Sequence, residues 1–195
     1  MLWSVWVLYS FLHSALATLR TKTLITKLLQ WPDSTYRIAY NLLAVLGLLA
    51  LIYAQFKIES FSLFSKTTVI NILAGCISFV GITIMISCIR KYFKQLSGMQ
   101  GEKTREVLEV DGLHRFVRHP LYLGTFIFLT GLFIFFPMVK NLGAVIIIIT
   151  YTLIGIRFEE QKLVRRFGEA YREYQQKVPK IIPGIKLGSW FGIFV

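Results

Sequence analysis

Charged side chains are scarce in this chain. They make up 16% of its 195 residues, against about 25% in a soluble domain, while hydrophobic residues reach 55%. That deficit excludes an ordinary soluble globule and points to an integral membrane protein. Acidic residues are fewer still: 10, against 22 Lys and Arg. Two cysteines give little scope for a disulfide framework. Cys76 and Cys88 lie twelve apart in one apolar run, about 18 Å along a helix and beyond disulfide reach. No Gly-x-Gly occurs, which argues against a Rossmann-type cofactor site. The three histidines, 13, 114 and 119, are scattered with neither cysteine near them, so no metal site is expected. Internal repeats and low-complexity segments are absent too.

What is present is a set of apolar runs. Five are visible, at Leu2–Leu19, Tyr36–Gln55, Thr68–Ile89, Leu121–Met138 and Leu142–Ile156, each near the ~17–25 residues that cross a bilayer core. The expected fold class is all-α: five transmembrane helices and a C-terminal cytosolic interfacial helix, in a single membrane domain over residues 1–195. Lys and Arg associated with the successive connections number four, two, seven, one and eight. With alternating connections on one side, 19 basic residues share that side and three the other. The positive-inside rule then sets the N-terminus outside and the C-terminus in the cytoplasm. The net charge of +12 reads as topology plus contact with anionic membrane lipid, and no nucleic-acid partner is expected because the basic residues flank the spans. Ala15-Leu16-Ala17 looks like a signal-cleavage site. Arg20, Lys22 and Lys27 follow the apolar run and no cation precedes it, an order that suits a retained first span.

The densest chemistry stands at span boundaries. Arg118-His119-Pro120-Leu121-Tyr122 opens the fourth run, and Arg157-Phe158-Glu159-Glu160 closes the fifth. Asp111-Gly112 signals a turn before the first cluster, and Pro120 suits the first turn of a helix. Pro137 and Asn141 bracket a short connection, so runs four and five are expected to form an antiparallel hairpin. The two clusters would then emerge on the same side. A helix is expected to continue from the fifth run to about Lys177, with Val164, Phe167, Tyr171, Tyr174 and Val178 on one face and Pro179 and Pro183 at its end. Glu160 lies one turn before Val164 on that face, where a carboxylate needs a partner or ligand. This helix reads equally as one lying on lipid or as a lid over a cofactor. Arg118 and His119 could hold a carboxylate or phosphate, or could anchor a helix end while the glutamates pair with Arg157 and Lys162.

Gly112-Leu113-His114-Arg115-Phe116-Val117-Arg118-His119-Pro120-Leu121-Tyr122-Leu123-Gly124 resembles the Gly-x-Tyr-x-x-x-Arg-His-Pro-x-Tyr-x-Gly signature of membrane methyltransferases. That superfamily includes the isoprenylcysteine carboxyl methyltransferases and phospholipid N-methyltransferases. Glu159-Glu160, Leu163, Phe167-Gly168, Tyr171, Tyr174 and Val178-Pro179 resemble its second block. The likeness covers about residues 112–183, with His114 where the family often has Tyr or Phe. The resemblance implies S-adenosyl-L-methionine as cofactor, contacted by Gly112, Leu113, His114, His119, Tyr122, Glu159 and Glu160, with Arg118, Glu159 and Glu160 as the catalytic set. It implies a small or lipidic methyl acceptor: an isoprenylcysteine carboxylate, a phospholipid amine or a small thiol. No obligatory protein partner is implied. The run from Ile154 through Tyr174 looks closest to small-thiol (methanethiol) methyltransferases. His13-Ser14 and Gln100 are similar to positions there, and Lys94-Gln95-Leu96-Ser97-Gly98 departs from them. Two other classes remain: an NADPH-dependent integral membrane reductase of the sterol reductase type, which has a related Arg-His-Pro-x-Tyr block, and a non-enzymatic small transporter. A transporter predicts inverted repeats or broken helices at the midplane, which the sequence does not show.

Overall fold

The structure, a computed structural model, describes residues 2–96 and 108–184; Gln100 and Ser97-Gly98 lie outside them. The regular elements among the described residues are helical: α1 (Leu2–Ala17), α2 (Leu19–Leu29), α3 (Asp33–Lys57), α4 (Thr68–Leu96), α5 (Pro120–Phe135), α6 (Val139–Phe167) and α7 (Glu169–Lys177). A short 3-10 turn covers Gly112–Arg115, and one antiparallel bridge joins Ser62 to Met138.

Among the described residues, three helices are long and apolar enough to cross a membrane: α3, α4 over Thr68–Arg90, and α6. The pair α1 and α2 makes a fourth if counted as one span, though the two are bent by 70°. Helices of this length and composition are those of a membrane protein. The fourth expected run gives only α5, 16 residues or about 24 Å of helix, short of a ~30 Å hydrocarbon core. Pro137 follows that helix, and its ring cannot be accommodated in a continuing turn.

Two junctions differ from expectation. The basic residues Arg20, Lys22 and Lys27 lie within α2, not in an open loop. Thr18 explains the bend: its Oγ1 donates to the Ala15 carbonyl and accepts from the Thr21 N–H, closing one helix and capping the next. The C-terminal helix is also broken. Gly168, at φ +57°, separates α6 from α7, a backbone region that L side chains rarely adopt.

The chain divides into two compact units: Met1–Ser65 with Phe136–Tyr151, and Lys66–Phe135 with Thr152–Val195. In the first, Trp6, Leu51 and Ala144 form the buried centre, joined by Leu2, Tyr9, Ile147 and Ile148. Polar groups inside it are paired. The Trp6 indole donates to Gln55, which donates to Asn141. His13, the polar residue of the first apolar run, is satisfied by its neighbours: Nδ1 meets the Tyr151 hydroxyl at 3.0 Å and Nε2 the Tyr40 hydroxyl at 2.9 Å.

In the second unit α4 packs on α5 through small residues. Ala74, Ser78 and Gly81 face Gly124 and Gly131 closely enough for backbone to touch backbone, the usual means of close helix approach in lipid. Cys76 and Cys88 form no disulfide. A separate apolar cluster of Tyr171, Tyr174 and Val178, with Leu108, Leu163, Val164 and Phe167 around it, seats α7. The expected apolar stripe thus survives the break at Gly168.

Candidate active site

Pro120 begins α5, as its fixed φ and missing N–H favour, and this leaves Arg118 and His119 in the connection just before the helix. Their backbone is held by the segment that follows α7. The Arg118 N–H donates to the Pro179 carbonyl at 2.9 Å and the His119 N–H to that of Lys180 at 3.1 Å. The segment entering α5 is thereby tied to the segment leaving α7.

All three guanidinium nitrogens of Arg118 meet protein acceptors. Nε and Nη2 each lie 2.7 Å from Glu160 Oε1. Nη1 donates to the carbonyls of Gln175 and Val178 at 3.0 and 2.7 Å. These are carbonyls of the last turn and the C-cap of α7, which lack intrahelical donors and favour a cation. Both charged side chains are nearly sealed, Arg118 at 8% and Glu160 at 9% exposure.

Glu160 gathers further donors. His119 Nε2 stands 3.2 Å from Oε1, the Tyr171 hydroxyl 3.5 Å from the same oxygen, and Lys180 Nζ 3.1 Å from Oε2. Neither Arg157 nor Lys162 contributes an ion pair to it among the described residues. The burial of one carboxylate is thus compensated by the Arg118 and Lys180 cations and by the His119 and Tyr171 side chains. Lys180 and Tyr171 complete the network. Lys180 follows Pro179 and reads in sequence as a solvated charge; only the backbone ties at 118–119 reveal why it points inward.

Glu159 is different. Its side chain is 45% exposed, and its nearest recorded partner is His119 Nδ1 at 3.8 Å. The Tyr122 ring lies beside the His119 ring, with centroids 5.8 Å apart and a 35° tilt. An open carboxylate, a histidine edge and an aromatic face therefore adjoin the sealed ion network. The 3-10 turn carries the other expected residues. Gly112 adopts φ +66°, Leu113 is exposed and its carbonyl accepts from Phe116 and Val117. His114 uses Nδ1 on the Arg118 carbonyl, while its own carbonyl accepts the Tyr174 hydroxyl at 2.7 Å.

Burial, chiefly, pushes the Tyr174 hydroxyl from its ordinary 10.0 up to about 12; Arg118 opposes the shift and Glu109 and Glu160 add to it. Tyr171 moves the same way through burial and then the Glu160 charge. A hydroxyl that keeps its proton longer when folded contributes stability in full below its unfolded value. That contribution falls as pH rises from 10 towards 12. Unfolding midpoints followed across this range should decline in the unaltered protein, and less steeply in Tyr174→Phe. An equal decline in both would show that α7 docking is insensitive to this hydroxyl.

The fold and site together describe a helical membrane protein with a buried Arg–Glu–Lys network at a helix junction and an open carboxylate beside it. Residues 20–178 match the family described as Protein of unknown function (DUF1295), and the chain belongs to that family. It is 28% identical over 192 residues to Methanethiol S-methyltransferase 1 of Bradyrhizobium diazoefficiens, covering 90% of this chain and 64% of that protein. It is 31% identical over 116 residues to the Methanethiol S-methyltransferase of Pseudomonas deceptionensis, covering 54% and 42%. Over 84 residues it is 34% identical to the Protein-S-isoprenylcysteine O-methyltransferase of Schizosaccharomyces pombe, covering 40% and 33%. The chain spans less than two thirds of the length of these curated relatives. No solved structure matches it.

Proposed function

We propose that this protein is an S-adenosyl-L-methionine-dependent membrane methyltransferase acting on a small or lipidic acceptor. One observation carries the reading: Arg118-His119 and Glu159-Glu160, about forty residues apart in sequence, meet in one cluster, in a chain whose relatives bear methyltransferase names. The acceptor class we favour is a small thiol, after a relative whose match covers 90% of this chain. Isoprenylcysteine carboxylates and phospholipid amines are the other candidates.

The residues fit such a cofactor. Glu160 is filled by protein donors, so the capacity for a cationic, amine-bearing ligand lies at exposed Glu159, with the His119 edge and Tyr122 ring beside it. When bound, the cofactor supplies an electrophilic methyl group. The chain's task is then positioning, which accounts for most of the acceleration where no covalent help is needed. In this reading Arg118 and Glu160 hold His119 and the end of α7 in place, and Glu159 orients the ligand. We further propose five crossings, with α5 as the short fourth, an outside N-terminus and a cytoplasmic C-terminus that brings α7 to the cofactor side. Membrane lipid is then the surrounding partner, with no nucleic acid and no obligatory protein partner.

Calorimetric titration of the detergent-purified protein with S-adenosylhomocysteine, with NADPH in parallel, tests this. Saturable binding of the nucleoside thioether alone is expected, weakened by roughly tenfold or more in Glu159→Gln, as loss of a charged hydrogen bond implies. Binding of NADPH alone would assign the chain to the reductases. Binding of neither by folded protein would remove the enzyme reading.

A further inference from the structure

A second polar site lies in the first unit, at the junction of α3 and α6. Here Phe56, Ile58, Glu59, Ser60, Phe61, Met138 and Lys140 line an open cleft of about 620 Å³, within the size range of ligand sites. Its walls are fixed by a short clip between two connections. The Ser62–Met138 bridge is flanked by the Leu63 N–H donating to Pro137 and the Val139 N–H donating to Phe61. The Lys140 N–H donates to Ser60 Oγ at 3.2 Å, and Lys140 Nζ donates to the Ile58 carbonyl. The ammonium is thus placed by one bond and retains two further donors. Glu59 is exposed on the same cleft, and among the described residues it is not paired with Lys140.

We propose that this cleft holds the headgroup of a membrane phospholipid carrying a primary ammonium next to its phosphate. Three features select that chemistry. The cleft stands where two long apolar helices end, α3 at Lys57 and α6 at Val139, which is headgroup depth for spanning helices. It offers one cation and one anion in a chain of net charge +12, so a zwitterion satisfies both while a purely anionic headgroup meets Glu59 unfavourably. Its rim is apolar and open, with Phe56 77% and Phe61 71% exposed, a surface suited to acyl chains. Two open rings do not enclose a quaternary ammonium, whereas a primary ammonium can donate to the Glu59 carboxylate. The site uses no residue of the Arg118–Glu160 network and is independent of the methyl-transfer reading.

Native mass spectrometry of the full chain, released from detergent with phosphatidylethanolamine, phosphatidylcholine or phosphatidylglycerol at equal concentration, gives the test. Phosphatidylethanolamine should be retained in preference, with retention reduced roughly tenfold by Glu59→Gln and by Lys140→Ala and largely restored by Lys140→Arg. Thermal unfolding checks that each variant is folded. Equal retention of phosphatidylcholine or phosphatidylglycerol, or retention unchanged in both charge-removing variants, would overturn the proposal. Displacement by free phosphoethanolamine at the lipid's own concentration would overturn its assignment to a lipid.

Discussion

Replacing Glu160 by glutamine is expected to destabilise the protein by about 3–5 kcal/mol, the usual consequence of removing one member of a buried ion pair. The carboxylate receives Arg118 Nε and Nη2 at 2.7 Å and Lys180 at 3.1 Å, with Arg118 only 8% exposed. Glutamine keeps the shape but offers a neutral oxygen to one cation and an N–H to the next. Arg118 would keep the carbonyls of Gln175 and Val178 but face no anion, and the cluster around Tyr171 and Tyr174 would lose that charged anchor. The contrasting substitution is Glu159→Gln. That side chain is 45% exposed and 3.8 Å from its nearest recorded partner, so its loss should leave unfolding nearly unchanged, within the ~0.5 kcal/mol typical of surface changes. Denaturant unfolding in detergent, read by circular dichroism, separates the two. Equal stability in both variants would show that the buried network contributes little. Together with the ligand titration, the pair distinguishes a carboxylate that holds the site from one that serves it.

The second large effect should come from a single methyl group at Gly81. A Cβ there would stand 2.5 Å from the Phe128 nitrogen, 2.7 Å from the Gly124 oxygen and 2.8 Å from the Phe128 Cα. All three are backbone atoms of α5, which no side-chain rotation can move aside. Gly81→Ala must therefore displace α5 from α4, at a cost of about 1–3 kcal/mol or more. Gly75 lies on the same helix with nothing within 4 Å of its hypothetical Cβ. There alanine should be neutral or stabilising by up to ~1 kcal/mol, because it lowers the conformational freedom glycine loses on folding. Thermal midpoints in detergent should fall for the first variant and hold or rise for the second. A fall of similar size in both would show that the loss does not come from the contact with α5.

Legibility followed the range of each signal. The long apolar helices α3, α4 and α6 were readable because length and hydropathy are local properties. The start of α5 was readable from Pro120, and a short connection between the fourth and fifth runs correctly suggested that Arg118 and Glu160 could approach. What failed were the junctions. Thr18 sits between apolar stretches and does not break their pattern, yet its hydroxyl closes one helix and opens the next. Gly168 interrupts the helix without disturbing the stripe from Val164 to Val178, since the same face is buried on both sides of it. Lys180 and the Glu59–Lys140 cleft left no trace at all. Their meaning depends on backbone bonds between segments roughly sixty to eighty residues apart, for which no spacing rule exists. His13 stands inside the first apolar run, and the Tyr40 and Tyr151 hydroxyls that satisfy it come from α3 and α6.

The way Arg118 is shared has a consequence for biosynthesis. Its acceptors are Glu160, Gln175 and Val178, all made after it, and the backbone bonds that fix its position come later still, from Pro179 and Lys180. As the chain leaves the ribosome, the guanidinium must stay solvated or at the lipid headgroups until nearly the last of these residues has emerged. Closure of the network therefore waits on Lys180, and a nascent chain stopped short of that residue lacks both the backbone bond to His119 and the second cation on Glu160.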